Sequence, residues 1–153
     1  AGVELATSSR LDFISESLYH FGVSANATFM DSEMEIVAAG QKRDVSIPRQ
    51  ADSLYNLAAF YDNNVWAARI AMNFKGSYIE EHGTDKAHDR YYGDYTSVDF
   101  SGSFQPVDDL LVYLEVSNLG NSELNYYQGS SARPVQVEYY GMRSTMGIKY
   151  SFF

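Results

Sequence analysis

Apolar residues recur at every second position through most of this 153-residue chain, and this period of two constrains the fold more than any other feature. Such a period is typical of β-strands, whose successive side chains point to opposite faces of a sheet. The clearest case is the run Phe21, Val23, Ala25, Ala27 and Phe29, in which small or polar residues occupy the positions between. The sequence therefore predicts an all-β, antiparallel fold.

About seven segments share this alternation, and several of them are 10 residues or longer. Strands of soluble domains have a mode of about 5 to 6 residues, whereas membrane strands need about 9 to 11. Strand length therefore favours strands that cross a membrane. The apolar rows of the seven segments begin at Val3, Phe21, Tyr55, Trp66, Val98, Leu110 and Met146.

The predicted connections alternate between short and long. Short turns are expected near 15–20, 62–64 and 105–109, and long polar connections at 31–52, 79–94 and 119–134. Outer-membrane barrels show this asymmetry, with short periplasmic turns and long external loops.

Aromatic residues near both ends of the strands also favour a membrane barrel, because such barrels carry two interfacial girdles. The girdle residues are Phe13, Tyr61, Trp66, Phe104 and Phe152 at the short-turn end, and Phe29, Tyr78 and Tyr95 at the long-loop end.

Composition excludes several other classes of protein. No apolar stretch approaches the roughly 20 residues of a membrane helix. A net charge of -9 argues against a nucleic-acid partner, because it would repel phosphate. The chain has no cysteine, so it forms no disulfide or thiolate site. Any signal peptide is expected to lie outside the given sequence.

An odd number of strands cannot close a bacterial barrel, since complete barrels have an even number. We therefore expect an N-terminal remainder that supplies the missing strands, because open edges in lipid would leave backbone groups unpaired. Two alternatives stay open: a self-contained eight-stranded outer-membrane barrel with a structural or adhesive role, and a soluble sugar-binding β-sandwich.

The chain resembles the C-terminal region of TonB-dependent outer-membrane receptors over nearly its whole length. Each matching segment is short, and the order and spacing of the segments make the likeness fairly specific. The segments are 2–5 (GVEL), 21–32 (FGVSANATFMDS), 48–61, 67–69 (AAR), 96–101 (TSVDFS), 114–119 (LEVSNL), 126–129 (YYQG), 140–143 (YGMR) and 147–152 (GIKYSF).

The resemblance implies that residues 1–153 form the last strands of a transmembrane β-barrel of about 22 strands in the outer membrane of a Gram-negative bacterium. The family imports scarce nutrients such as iron chelates, cobalamin or oligosaccharides and is not enzymatic. Implied partners are the N-terminal barrel strands and plug, the TonB complex acting through the plug, outer-membrane lipids, the barrel-assembly machinery and a possible surface lipoprotein. Neither plug nor TonB box lies in this sequence.

Two sets of residues are candidate functional groups, and no cofactor or catalytic residue is predicted. Aromatic faces and guanidinium groups near the long connections are suited to hold a sugar or a chelate. These ligand-binding candidates are Arg90, Tyr91, Tyr92, Tyr126, Tyr127, Arg133, Tyr139 and Tyr140. The second set is an expected assembly signal on the last strand, formed by Met146, Ile148, Tyr150 and Phe152, with Phe153 one residue beyond it.

Two further groups of polar residues receive structural interpretations. The histidines His20, His82 and His88 lie in connections near several carboxylates, and we expect them to be solvated rather than to bind a metal. Charged residues on the polar face are expected to form a cross-strand charge network or to meet the plug. They are Arg69, Lys75, Asp99, Glu115, Arg143 and Lys149.

Overall fold

The computed structural model describes residues 1–38 and 40–152, and strands dominate them. No helix within these ranges is long and apolar enough to cross a membrane. One short 3₁₀ turn spans Glu16–Leu18. The strands are β1 (Gly2–Arg10), β2 (Phe21–Met30), β3 (Glu33–Ala38), β4 (Gln41–Ser46), β5 (Ser53–Asp62), β6 (Trp66–Lys75), β7 (Tyr78–Glu81), β8 (Arg90–Tyr92), β9 (Tyr95–Val107), β10 (Leu110–Ser117), β11 (Leu124–Gln128), β12 (Ser130–Glu138) and β13 (Arg143–Tyr150).

Seven long strands form one antiparallel sheet in the order β1-β2-β5-β6-β9-β10-β13. Each strand pairs with the next of these seven along the chain, so the sheet is a meander. The all-β, antiparallel prediction is confirmed. Within residues 1–38 and 40–152, β1 and β13 do not pair with each other, so the sheet stays open and contains seven strands rather than the eight of the alternative small barrel.

The cross-strand register places the predicted apolar rows side by side across the whole sheet. Met72 lies opposite Leu57 on β5 and Val98 on β9. Farther along, Val112 lies opposite Ile148 on the last strand. Large apolar side chains on this surface, the apolar face, remain exposed: Leu57 is 51% and Ile148 72% accessible. A soluble sandwich would bury this face against a second sheet, whereas these side chains stay exposed among the described residues.

The opposite surface, the polar face, is held together by hydrogen bonds that asparagine amides donate to carboxylate and amide oxygens. Asn26 Nδ2 donates to Glu4 Oε1 at 2.7 Å, and Asn56 Nδ2 donates to Asn26 Oδ1 at 3.3 Å. On the next pair of strands, Asn73 Nδ2 donates to Asp99 Oδ2 at 2.9 Å. Cross-strand hydrogen bonds of this kind stabilise one face of a sheet without needing an apolar layer above it.

The predicted charge network on this face is wrong for the described residues. No ion pair there involves any of the six charged side chains assigned to it. The register explains the difference, because each charge lies opposite uncharged residues: Arg69 pairs with Phe60 and Ser101, and Lys149 pairs with Leu111. Their other expected role, contact with a plug, stays a prediction.

Aromatic contacts line the turn end of the apolar face, where the short turns lie. Trp66 stacks on Phe104 at 4.1 Å between ring centroids. Phe21 meets Tyr61 at 4.9 Å, one strand pair away. The predicted girdle members Tyr61, Trp66 and Phe104 therefore do lie on this end of the apolar face.

At the hairpin end, where the long connections lie, the aromatic belt differs from the predicted one. Phe29, Tyr55 and Phe74 form it, with ring centroids 5.6 Å and 5.4 Å apart. The girdle assignment of Tyr78 and Tyr95 is wrong. Tyr78 belongs to a separate small sheet, and Tyr95 lies opposite a polar-face position, so neither ring is on the apolar face.

Two glycines on the polar face lie beneath aromatic rings. A Cβ built at Gly147 would overlap the ring of Tyr113, its partner across β10 and β13. A Cβ at Gly22 would likewise overlap Phe60, its partner on β5. Each ring therefore occupies space that only a glycine leaves free.

The three long connections, predicted as loops, fold into β-hairpins at one end of the large sheet. β3 pairs with β4 as an isolated two-stranded sheet. The other two hairpins, β7–β8 and β11–β12, join through β8 and β11. They form a four-stranded sheet, the hairpin sheet, in the order β12-β11-β8-β7.

Candidate ligand site in the hairpin sheet

The hairpin sheet brings five of the predicted ligand-binding residues together on neighbouring strands. Tyr92 pairs with Tyr126, Tyr91 pairs with Tyr127, and Arg90 lies one position before them on β8. Because successive residues of a strand point to opposite faces, Tyr92 and Tyr126 share one face, and Tyr91 and Tyr127 share the other. The predicted cluster is therefore two distinct surfaces.

The first surface is an internal stack of rings and cations. Tyr92 stacks on Tyr78 at 5.0 Å and meets Tyr126 edge-on at 5.0 Å. Lys75 Nζ lies 4.3 Å from the Tyr92 centroid, and the Arg90 guanidinium lies 4.8 Å from that of Tyr126. Because these cations already face aromatic rings of the protein, we infer that the stack stabilises the hairpin sheet.

Burial confirms the structural character of Tyr92, which is only 7% exposed. Desolvation, with smaller contributions from Tyr78 and Tyr126, raises the pKa of the Tyr92 phenol to about 12. The phenol stays neutral at physiological pH.

The second surface lines a cleft of about 400 Å³ between β4 and the hairpin sheet. Tyr91 and Tyr127 stack at 5.2 Å with their planes 8° apart and form one wall. Arg43 on β4 and Gln50 also line this cleft. Burial is the main reason why the pKa of the Tyr91 phenol is raised.

Asp89 anchors this cleft and joins two separate hairpins. Asp89 is 2% exposed. Its Oδ1 accepts hydrogen bonds from Arg43 Nη2 at 2.7 Å and from the Gly83 backbone N–H at 2.8 Å. The hydrogen bond to Asp89 raises the pKa of the Arg43 guanidinium. His82 Nε2 donates to the Ser46 carbonyl at 3.1 Å, which adds a second tie between β4 and the β7–β8 connection.

Arg133, Tyr139 and Tyr140 are not brought to this cleft. Arg133 lies on the exposed strand β12, while Tyr139 and Tyr140 follow that strand and are 67% and 74% exposed. Hydrogen bonds to Glu123 and Glu138 respectively raise the pKa of these two phenols. Their ligand-binding role stays a prediction without a shared site.

The histidines of the connections contact different partners. His88 Nδ1 lies 2.8 Å from Asp85 Oδ1, and this hydrogen bond lowers the pKa of the Asp85 carboxyl. His20 Nδ1 lies 2.9 Å from the Asp62 carbonyl, near the turn end. Across the described ranges, no group of three or more His, Asp or Glu side chains is arranged to hold a metal ion.

The predicted assembly signal lies at one edge of the large sheet. Met146, Ile148 and Tyr150 alternate along β13 on the apolar face and are 53–77% exposed. Phe152, just past the strand, contacts Tyr150 at 4.7 Å. Phe153 lies outside the described residues.

Sequence reasoning missed Arg43 and Asp89 as site residues. They are 46 positions apart, so no local motif connects them. The alternation of Met34, Ile36 and Ala38, followed by Gly40, was the available sequence signal for the β3–β4 hairpin that carries Arg43.

Comparison of the chain with protein-family models, curated proteins and solved structures gives no match.

Proposed function

We propose that this chain forms part of the wall of an outer-membrane β-barrel of the TonB-dependent receptor type, which imports a scarce nutrient. One observation carries the proposal: a seven-stranded meander exposes its apolar face, while side chains of neighbouring strands form hydrogen bonds across its polar face. This polarity is that of a barrel wall in lipid, because lipid solvates the outward side chains and the lumen is polar. The receptor type rests on the segment likeness described above.

The spacing of the aromatic belts supports a membrane location. Trp66 at the turn end and Phe74 at the hairpin end lie on one face of β6, eight residues apart. At about 3.4 Å per residue they are about 27 Å apart along the strand. A strand tilt of about 40° shortens this to about 20 Å along the membrane normal, close to the roughly 25 Å apolar band of outer-membrane barrels.

The open edges of the large sheet define the partners that the proposal requires. β1 and β13 each have one hydrogen-bonded neighbour within the described ranges. In hydrocarbon an unpaired edge costs several kcal/mol for each backbone group. Additional barrel strands that pair with both edges remove this cost. A plug, the TonB complex and the assembly machinery complete the proposed system.

Nutrient import is tested in the source bacterium with three strains: wild type, a deletion of the gene that encodes this chain, and a deletion of TonB. Growth is compared across iron-limited media and sole carbon sources. We expect the receptor deletion to reproduce the TonB growth defect in at least one medium, and the full-length gene to restore growth. A receptor deletion that grows normally wherever TonB is required would reject the import function.

The hairpin end is expected to face the outside of the cell. Trypsin added to intact cells should cleave first at Lys86, which lies in an exposed turn, and at Lys42 on β4. Arg43, the residue after Lys42, should be cut more slowly because its side chain pairs with buried Asp89.

Mass spectrometry of the released fragments identifies the sites. Variants Lys86→Gln and Lys42→Gln serve as controls that remove the corresponding fragments. Cleavage at these lysines only after the outer membrane has been opened would reverse the proposed orientation.

A further inference from the structure

We propose that the cleft between β4 and the hairpin sheet binds a neutral saccharide. The cleft is lined by a buried carboxylate, a stacked tyrosine pair and an amide side chain. It lies between two hairpins, and the hydrogen bond from Arg43 to Asp89 connects them. This inference rests on the proposed function only for the assumption that the hairpins reach the medium. It adds to the proposed function the class of nutrient, a neutral saccharide.

Asp89 supplies a fixed hydrogen-bond acceptor. Both of its hydrogen bonds, from Arg43 and from the Gly83 backbone, end on Oδ1. Oδ2 receives no donor from the described residues, and Asp89 lines the cleft. Because the side chain is 3% exposed, the protein holds this carboxylate in one position. An ionised acceptor of this kind forms strong hydrogen bonds with hydroxyl groups.

The tyrosine pair supplies the apolar contact that a sugar ring also requires. Tyr91 and Tyr127 are parallel and line the same wall. Aromatic rings combine a flat apolar body with a polar hydroxyl, which suits a ligand with C–H groups on one side and hydroxyls around its edge. Gln50 and Ser46 add amide and hydroxyl groups that both donate and accept hydrogen bonds.

The charge of the lining disfavours an anionic chelate. Two cations, Arg43 and Lys86, are accompanied by three carboxylates, Asp44, Asp52 and Asp89. Since Asp89 already pairs with Arg43, Lys86 alone would face an anionic ligand, beside two further carboxylates. A multiply charged anion would meet net repulsion there.

The size of the cleft limits the bound portion to a small part of a ligand. A volume of about 400 Å³ lies near the lower end of the range for small-molecule pockets. We therefore expect the cleft to hold a disaccharide, or one end of a longer chain.

The test uses the intact receptor that contains this chain, purified in detergent and shown to be folded by heat-modifiable migration. Binding of maltose, cellobiose and lactose is measured by saturation-transfer NMR and calorimetry, with inorganic phosphate and citrate as anionic probes. We expect saturable binding of at least one disaccharide and none of either anion. Failure of all three disaccharides, or binding of the anions instead, would overturn the inference while leaving the growth and protease tests of the proposed function unaffected.

Matched variants locate the binding in the cleft. Arg43→Ala and Gln50→Leu should each weaken disaccharide binding, Arg43→Ala by at least about tenfold, the loss expected when a hydrogen-bonded charge is removed. Lys42→Ala is the control, because Lys42 is adjacent on β4 and is 72% exposed in an ion pair with Glu35. Tyr127→Leu should weaken binding, whereas Tyr127→Phe should retain most of it. Equal effects of Arg43→Ala and Lys42→Ala, or unchanged binding in Gln50→Leu and Tyr127→Leu, would overturn the assignment to this cleft.

Discussion

Lysine in place of Ile70 is expected to destabilise the assembled protein by about 2 to 4 kcal/mol, the cost of a cation near the midplane of a bilayer. Ile70 is 49% exposed on the apolar face, midway along β6 between Trp66 and Phe74. Its cross-strand neighbours are Ala59 and Phe100, which provide no partner for a charge. Urea titration of the protein folded into lipid vesicles measures the change in free energy of unfolding.

Ala71→Lys is the matched control for Ile70→Lys. Ala71 is the next residue on β6, but it lies on the polar face opposite Asp99. Lysine there meets a carboxylate and should change the free energy of unfolding by less than about 1 kcal/mol. Met72→Lys, closer to the aromatic belt, should cost less than Ile70→Lys because the penalty falls toward the interface. Equal tolerance of lysine at positions 70 and 71 would contradict the proposed lipid-facing side.

Deletion of residues 150–153 is expected to abolish assembly into the outer membrane. Tyr150 pairs with Leu110 at the turn end of β10, and its ring contacts Phe152. Removing these residues deletes the last lipid-facing positions of the edge strand and leaves backbone groups of β10 without partners in hydrocarbon. The expected result is the loss of heat-modifiable, protease-resistant protein from the outer-membrane fraction.

Two shorter changes separate the role of the apolar row from that of chain length. Deletion of residue 153 alone keeps the row from Met146 to Phe152 and should permit assembly. Ile148→Lys keeps the length but puts a charge opposite Val112, and it should reduce assembly strongly. A protein that lacks residues 150–153 yet inserts as a protease-resistant barrel would refute the role of β13 in assembly.

The long strands and their faces were predictable because a period of two is a local property of the sequence. The rows that contain Val23, Met72 and Leu114 lie on one face, as the alternation predicts. The hairpins were harder to predict from the sequence, since β8 has only three residues and β7 four. At such lengths the pattern is too short to distinguish a strand from a loop.

The candidate site was predictable in composition but not in arrangement. The sequence suggests that Tyr91, Tyr92, Tyr126 and Tyr127 cluster, and their pairing across β8 and β11 agrees. The division of these rings between an internal stack and a cleft depends on the register of two distant strands. Likewise, the partner of Asp89 is determined by the packing of β4 against the hairpin sheet, because Arg43 comes from another hairpin.

The glycine beneath Tyr113 has a consequence for how the last strand selects its register. Alternation of apolar and polar residues excludes a slip of one position, which would exchange the two faces, but a slip of two positions preserves both faces. Such a slip would place Thr145 or Lys149 opposite Tyr113 instead of Gly147. Either residue would place a Cβ where the Tyr113 ring now lies, so an even slip requires that ring to move. Gly147 thereby favours the observed alignment of β13 with β10, in which the Tyr113 ring keeps its position.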